Sequence, residues 1–528
     1  MDLTTNTNFL LTCLECGQPF FTPGEKSFYE EKQLSMPKRC KKCREFQKKR
    51  REIDVSKTYN EIIKNWSVEA RKERQDYFYY IQEVTDIAQG DRYFVIGRKG
   101  SGKTAIAQHL AEISEPNVFS IRLSFKNFPF NILYSLENNR EYTAPNQYIS
   151  MWKYLIYSYL CRKMIENQNI NLDIRNKLTK LYGDSTEVSL NKLIEKWTSK
   201  SFGLEVLGVG FNYERERAIE EITWIDTIEI LERVILEYCD DSRYYFLFDE
   251  LDEDYKEFTT EVEARNYMCM LTSLLKAVQQ IRSTLDVAQK CVYPIVFLRS
   301  DIYSQLKDAD KNKWRESLID LEWNTSKIKS MLAHRICVAM SIPATDFESA
   351  WYLLFSRAKV KMGNNQRREM DIFSYIERST EMRPRDFVQY IKECVELAKE
   401  RQEFPIIPDT VKEADDNFSE YLKGETIDEL FPILPEIDEI LGLLSTIRKQ
   451  SFGSGVFEKE YNALVNREAI PKRDIRYVLL SLFDAGVIGN QPSMKGQSIF
   501  RFSKKSPRFN FNETMIIHRG LYKALQIF

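Results

Sequence analysis

The sequence predicts an α/β fold, a three-layer core around a parallel sheet with smaller modules at either end. Three observations carry that expectation. An apolar run, Tyr93 to Ile96, breaks into Gly97-Arg98-Lys99-Gly100-Ser101-Gly102-Lys103-Thr104 and resumes as a helix-like pattern. A second apolar run, Tyr244 to Phe248, ends in the acids Asp249, Glu250 and Asp252. Two CxxC pairs, Cys13/Cys16 and Cys40/Cys43, stand ahead of both.

At 528 residues the chain exceeds one ordinary core, so about three domains of roughly 150 residues are expected. Hydrophobic residues at 43% against 29% charged exclude the disordered and fibrous classes. Charge interrupts every apolar run before the ~18 residues a membrane span needs, and the opening MDLTTNTNFLLTCLECG lacks a signal-peptide layout, so a cytoplasmic location is expected. Net charge is −2, so any nucleic-acid footprint has to be local. His109, His334 and His518 each stand alone, which argues against histidine-based acid–base or metal chemistry. Six of the ten cysteines are scattered singly through apolar contexts and read as buried thiols.

Residues 1–52 form the first module. The spacing CxxC-x23-CxxC gives two tight knuckles with enough chain between them for a small sheet. Four thiolates suit tetrahedral zinc, and four protein ligands leave no position for water, so the ion is structural. Gly17 stands where the chain turns so that both sulfurs and nearby amides face one ion. Lys38, Arg39, Lys41, Lys42, Arg44, Lys48, Lys49, Arg50 and Arg51 then make a basic tail. Two readings stand for it: phosphate contact to DNA or RNA, with Phe20, Phe21, Phe28 and Tyr29 nearby, or a solvated helix leaving the second knuckle. The segment resembles a bacterial zinc-ribbon family with CxxCGxxF followed by Pro-x-Arg-Cys-x-x-Cys-Arg, which implies a zinc-stapled adaptor. Residues 53–89, charged and aromatic at helical spacing, are expected as a helical linker.

Residues 90–330 are the expected core. RYFVIG reads as a strand and KTAIAQHLAEI as a helix, the context in which Gly97-x4-Gly102-Lys103-Thr104 is a phosphate-binding loop. Glycines let the backbone from Gly97 to Ala105 wrap the phosphates of ATP, Lys103 reaches the β and γ phosphates, and Thr104 offers a hydroxyl to Mg²⁺. Asp249 would hold Mg²⁺ through its water shell in a Walker B arrangement, and Glu250 would polarise the attacking water. Asp252 and Asp254 are expected only to solvate the turn. A third apolar strand, CVYPIVFLRS, ends in Arg299 and Ser300. In P-loop ATPases of the additional-strand class such a strand lies between the other two and senses γ-phosphate, although an ordinary strand end fits here as well.

About 140 residues separate the loop from Asp249, more than one crossover requires, so a helical insert is expected over about 130–240. VFSIRLSF reads as its preceding strand, NQYISMWKYLIYSYLCRKMIE and IDTIEILERVILEYC as helices, and SFGLEVLGVGFNYERERA as a hairpin. The insert either grips a partner or widens the core. In the helical lid, 331–434, Arg383 and Arg385 flank a proline at a helix start. Residues 435–528 read as a winged helix: EIDEILGLLSTI, EKEYNALV and KRDIRYVLLSLFDAGVIGN as helices, then SIFRFSKK as strand and wing. Lys472, Arg473 and Arg476 lie on its polar face, open to phosphate or protein contact, and MIIHRGLYKALQIF reads as a terminal helix.

Over residues 90 to 528 this strand order and the late Arg-Pro-Arg-Asp resemble the AAA+ and STAND ATPases, including their initiator-like branch. GRKGSGKTAI, FLRSDIYSQL, IDLEWN and RPRDF look like a bacterial P-loop ATPase family related to these. The resemblance implies that Arg383 or Arg385 is a lid arginine directed at nucleotide, and that Arg315 or Arg335 acts on a neighbouring subunit of a homo-oligomer. Salt-bridge roles are the alternative for each. It further implies an ATP-hydrolysing switch in prokaryotic defence or nucleic-acid surveillance, with an effector protein as partner. The competing functions are a nucleic-acid remodelling or loading motor and a non-catalytic scaffold stabilised by ATP. A small-molecule kinase shares the loop, but a lid followed by a winged helix is foreign to that class.

Overall fold

The computed structural model describes residues 11–67, 69, 74–124, 147–183, 224–252, 261–363, 367–492, 498–503 and 507–527. The chain divides into two compact units, Tyr80–Glu322 and a second made of Met1–Tyr79 with Trp323–Phe528.

Strands β1 (Leu11–Thr12) and β2 (Pro19–Phe20) pair antiparallel around the first CxxC, and Gly17 makes the turn at φ +68°, a conformation other residues resist. Between the knuckles the expected small sheet gives way to a helix. Thr22 and Glu25 close a capping box with Pro23 at the first position, which commits the chain to α1 (Pro23–Glu31). Cys40 then stands as N-cap of α2 (Lys41–Arg50). Helix α3 (Val55–Asn65) buries Tyr59 and Ile62 in one core with residues from beyond Trp323, so this part of segment 53–89 is a layer of its unit.

The Tyr80–Glu322 unit begins with α4 (Gln82–Ala88), β3 (Phe94–Gly97), α5 (Lys103–Ala111) and β4 (Val118–Ser124). Helices α6 (Gln147–Glu166), α7 (Leu172–Tyr182) and α8 (Trp224–Tyr238) precede β5 (Arg243–Asp249). Then come α9 (Glu261–Val287), β6 (Val292–Arg299), α10 (Ser300–Gln305) and β7 (Leu318–Asp320). The five strands run parallel in the order β4-β5-β6-β3-β7. Such a sheet is covered on both faces, which is why β3, β5 and β6 read as nearly unbroken apolar runs. The strand ending in Arg299 does lie between those of the loop and of Asp249.

The insert helices are built into this core. Trp152 Nε1 donates to the Met270 carbonyl at 3.1 Å, and the Asn167 amide donates to Tyr244 Oη on β5 at 2.7 Å. Of the two readings for the insert, its described helices widen the core; the expected hairpin, and Asp254, lie outside the described residues.

Beyond Trp323 the other unit continues through α11 (Thr325–Met340), α12 (Phe347–Leu354), the hairpin of β8 (Val360–Met362) and β9 (Arg368–Met370), α13 (Ile372–Glu377), α14 (Pro384–Glu400) and α15 (Pro408–Leu430). It closes with α16 (Ile437–Ile447), β10 (Ser451–Phe452), α17 (Ser454–Asn466), α18 (Ile475–Asp484), β11 (Ile488–Gln491) and β12 (Thr514–Ile517). The last sheet is antiparallel, in the order β10-β12-β11. The expected terminal helix is thus a strand followed by a 3₁₀ turn at Arg519–Leu521. Two waiting strands outweigh its helical spacing, and Gly520 packs so closely that a Cβ there would lie 2.2 Å from the Ser379 carbonyl. Of SIFRFSKK, Ile499 makes a single bridge to Asn490. Among the described residues no helix is long and apolar enough to cross a membrane.

Asp415, 1% exposed, joins these layers. It accepts from Ser379 Oγ at 3.0 Å, Tyr390 Oη at 3.2 Å and Arg519 Nη2 at 3.1 Å. Replacing one member of such a buried set strands the others. Asp415→Ala is therefore expected to destabilise its unit by about 3 kcal/mol in urea unfolding while leaving nucleotide affinity unchanged; a loss below about 1 kcal/mol would contradict this assignment.

Candidate nucleotide site and metal centre

The end of β3 and the start of α5 shape the loop. A Cβ on Gly97 would lie 2.5 Å from Ser101 Oγ, and Gly100 and Gly102 take φ of +80° and +96°, so each glycine answers a steric requirement. Gly102 caps α5 without a side-chain acceptor, leaving the first helical amides for an anion. Lys103 Nζ donates to the carbonyls of Gly97 at 2.9 Å and Arg98 at 3.0 Å. Desolvation lowers its pKa, with the Asp252 carboxylate opposing.

The acids face this loop from β5. Asp249 is 2% exposed, and burial raises its pKa against the opposing charge of Arg122. Arg122, on neighbouring β4, donates to Asp249 Oδ2 through Nη2 at 2.7 Å and Nε at 3.1 Å, to Glu250 Oε1 at 3.4 Å, and through Nη1 to Gln108 Oε1 at 3.1 Å. Ser124, in register with Asp249, donates its hydroxyl to the other Glu250 oxygen. Glu250 has φ +61°, a left-handed backbone that costs a non-glycine residue about 1 kcal/mol and turns the chain sharply off the strand. Sequence reasoning missed Arg122 and Ser124. The available signal was a lone arginine in the otherwise apolar VFSIRLS.

At the end of β6, Arg299 is in register with Gly97. Its guanidinium meets Asp301 at 2.6 Å and Asp252 at 3.5 Å, and Ser300 opens α10. The unit therefore gathers the loop, Asp249, Glu250, Arg299 and Ser300 at the carboxyl ends of three adjacent strands. Arg315 is exposed in the 3₁₀ segment Ala309–Ser317 of the same unit. Arg383, Arg385 and Arg335 belong to the other unit. Arg383 is 4% exposed and pairs with Asp386 at 3.0 Å and Glu381 at 3.5 Å; Arg385 pairs with Glu425 at 2.8 Å; Arg335 is buried over the Trp66 ring.

The four knuckle sulfurs all lie within 4.8 Å of one another, and Cys16 Sγ and Cys40 Sγ are 3.8 Å apart. Tetrahedral zinc with bonds of ~2.3 Å requires sulfur edges of about 3.8 Å, so the set fits that ion. The Cys40 amide donates to Cys13 Sγ at 3.3 Å. Burial raises the Cys13 pKa, but amides at Cys16, Cys40 and Glu15 outweigh it and bring the thiol down to about 6, whereas burial pushes the Cys16 and Cys43 thiols up. In the basic tail Lys38 is exposed and Arg39 is half-buried and paired with Glu15 at 3.7 Å, and the remaining seven divide in two. Lys41, Lys42, Arg44, Lys48, Lys49 and Arg51 are exposed, whereas Arg50 is buried against its own unit and is removed from the phosphate-binding candidates.

Comparison with known proteins agrees on the first module: residues 9–52 match a family model described as "Probable treble clef domain", which refines the expected zinc ribbon. A second model, "FunZ-associated C-terminal helical domain", matches residues 326–425. A curated relative, "Putative transposon gamma-delta 80.3 kDa protein" of Escherichia coli K12, is 21% identical over 471 residues, covering 84% of this chain and 63% of its own length. Among solved structures, the ORC2 protein of Aeropyrum pernix, in ADPNP–ADP complexes, aligns over 85% of this chain and 94% of its own at 12% identity and a TM-score of 0.40. ORC1 of the same organism, in complex with DNA, aligns over 84% and 89% at 12% identity and a TM-score of 0.32.

Two expectations follow from this geometry. Lys103→Ala should weaken nucleotide binding at least about tenfold, the worth of one charge-assisted contact, and Gly97→Ala should weaken it too by displacing Ser101; titration of a fluorescent ATP analogue with parental affinity in both variants would refute the loop assignment. Freshly purified protein, never exposed to chelator, should carry one zinc per chain by elemental analysis, and Cys40→Ser should lose it while keeping nucleotide affinity.

Proposed function

We propose that the chain is an ATP-binding and hydrolysing switch whose nucleotide state is coupled to nucleic acid. The observation that carries this reading is the gathering of Lys103, Asp249, Glu250, Arg299 and Ser300 at the carboxyl ends of three adjacent strands. A triphosphate on the loop amides would draw Lys103 Nζ from two neutral carbonyls to charged oxygens, a stronger bond. Thr104 and Asp249 would hold Mg²⁺, which supplies charge neutralisation at the β- and γ-oxygens. Their oxygen chemistry suits that ion, and Arg122 on Asp249 marks the carboxylate as one that demands a cation. Glu250, on leaving Ser124, is placed to orient water and accept its proton. Arg299 and Ser300, one strand from the loop, are our γ-phosphate sensors. Of the lid arginines we assign the nucleotide-directed role to Arg385, because the three carboxylates around Arg383 give it a structural task.

For the nucleic-acid contact we favour α2. With Cys43, Phe46 and Arg50 turned inward, the outer face of the helix carries Lys41, Lys42, Arg44, Lys48 and Lys49. The C-terminal order of helix, strand, two helices and two strands supports a winged-helix reading, but its third helix is less suited to phosphate. Arg473 is held by Glu436, Arg476 leans on Phe511, and Tyr477 and Leu480 are exposed instead. The defence setting and the effector protein draw on no residue of the chain, so a nucleic-acid loader is the form of the switch we carry forward. A homo-oligomer with exposed Arg315 completing a neighbour's site is its assembly.

Glu250→Gln should bind ATP with parental affinity and hydrolyse it at least about 100-fold more slowly; parental turnover would remove Glu250 from the mechanism. Addition of DNA or RNA should change the rate, and Lys41→Glu with Lys48→Glu should lower the slope of log affinity against log salt by about one per lost phosphate contact. An unchanged slope would move the contact away from α2.

A further inference from the structure

Helix α12 and the zinc module exchange cations. α12 stops at Leu354 with Phe355 as its C-cap, so the last carbonyls have no intrahelical partner and carry the negative end of the helix dipole. The Ile406 amide satisfies the Leu354 carbonyl at 3.0 Å, and Arg50, the last residue of α2, takes two others: Nη2 donates to the carbonyls of Tyr352 at 2.6 Å and Phe355 at 3.0 Å, and Nε donates to Tyr352 at 3.1 Å. Nη1 of the same guanidinium reaches Glu15 Oε1, inside the first knuckle, at 2.9 Å. In the opposite direction Arg357, two residues beyond the C-cap, points Nη1 at Cys43 Sγ, 3.5 Å away, and Cys40 Sγ, 3.8 Å away. The Tyr352 ring lies 5.7 Å from the Phe46 ring and 5.4 Å from the Arg357 guanidinium carbon.

We propose that Arg357 belongs to the zinc site as the outer donor to the Cys40 and Cys43 sulfurs, and that metal loading and closure of residues 347–357 are one linked equilibrium. The proposal rests on the zinc reading of the four cysteines. Four thiolates around a divalent ion leave two net negative charges in a largely buried place, and a guanidinium spanning two sulfurs offsets them where water is scarce. Arginine suits this position because its planar fork addresses two acceptors at once, whereas lysine would bring the charge with one contact. When the ion leaves, the knuckles lose their shared tie, Arg357 loses its counter-charge, and Glu15 no longer holds Arg50 against the helix end. Linkage then makes the effect reciprocal: whatever closes the α12 end raises zinc affinity, and zinc closes the α12 end.

The test uses the full-length protein and two readouts. Zinc release to a chromogenic chelator should be about tenfold or more faster in Arg357→Ala than in the parent, with Arg357→Lys between them, from an initial content of one zinc per chain. Stripping zinc from the parental protein should remove amide-exchange protection at residues 347–357 while leaving 103–111 protected. This second arm needs no variant, so a poorly folding Arg357→Ala does not blunt it. Release at the parental rate from zinc-loaded Arg357→Ala, or unaltered protection at 347–357 after stripping, overturns this proposal and leaves the zinc reading standing. A parental chain devoid of zinc overturns both.

Discussion

A parallel strand cannot return directly beside its predecessor, and the candidate nucleotide site follows from that constraint. The connection leaving β3 passes over β6 and β5 to reach β4 at the sheet edge, and β6 is inserted only later. Where neighbouring connections diverge, a hollow opens at the carboxyl ends of the strands. The loop therefore stands on one side, Asp249 and Glu250 on the other, and Arg299 between. Strand register does the rest, setting Arg299 beside Gly97 and Ser124 beside Asp249.

Guanidinium groups serve repeatedly as joints in this protein. Arg122 holds two carboxylates at the site, Arg519 reaches Asp415, Arg383 gathers Asp386 and Glu381, and Arg50 caps a distant helix. In each case a buried acceptor would be expensive to leave alone, and a planar donor fork satisfies several such acceptors at once. These joints differ in what can replace them. On the readings proposed above, a metal cation would compete for the Arg122 pair and loss of zinc would release Arg50, whereas the Arg519 and Arg383 pairs tie buried groups within one unit.

The legible parts of the sequence were those whose chemistry is local. A glycine loop between a strand and a helix is contiguous in sequence, so the candidate loop was visible there, and paired knuckles announced the four-sulfur set. Three core strands were legible because fully buried strands lose their polar alternation, while the place of the third between the other two came only with the resemblance to additional-strand ATPases. Arg122 was not, since an arginine in a strand has meaning only once the acids of β5 are its neighbours. Arg357 was further out of reach, lying 314 residues from Cys43. The helix between the knuckles was announced by Thr22-Pro23-Gly24-Glu25, a capping signal passed over in favour of a sheet. The strand at Thr514–Ile517 shows the opposite failure, a helical pattern overruled by two strands already in place.

The socket for the zinc module also sets an order of events during synthesis. Arg50 and the Tyr352 carbonyl are separated by 302 positions, with the whole Tyr80–Glu322 unit encoded between them. At the usual pace of translation, about 5 to 20 residues per second, the module emerges about 15 to 60 seconds before the helix end it is to cap. During that interval Arg50 and Phe46 lack the Tyr352 carbonyl and ring that they meet in the folded protein. The two parts of the discontinuous unit are joined only after residues 80–322 have been synthesised. A nascent chain of this design thus carries an open socket through most of its synthesis, and a chaperone that shields the α2 flank would act in that window.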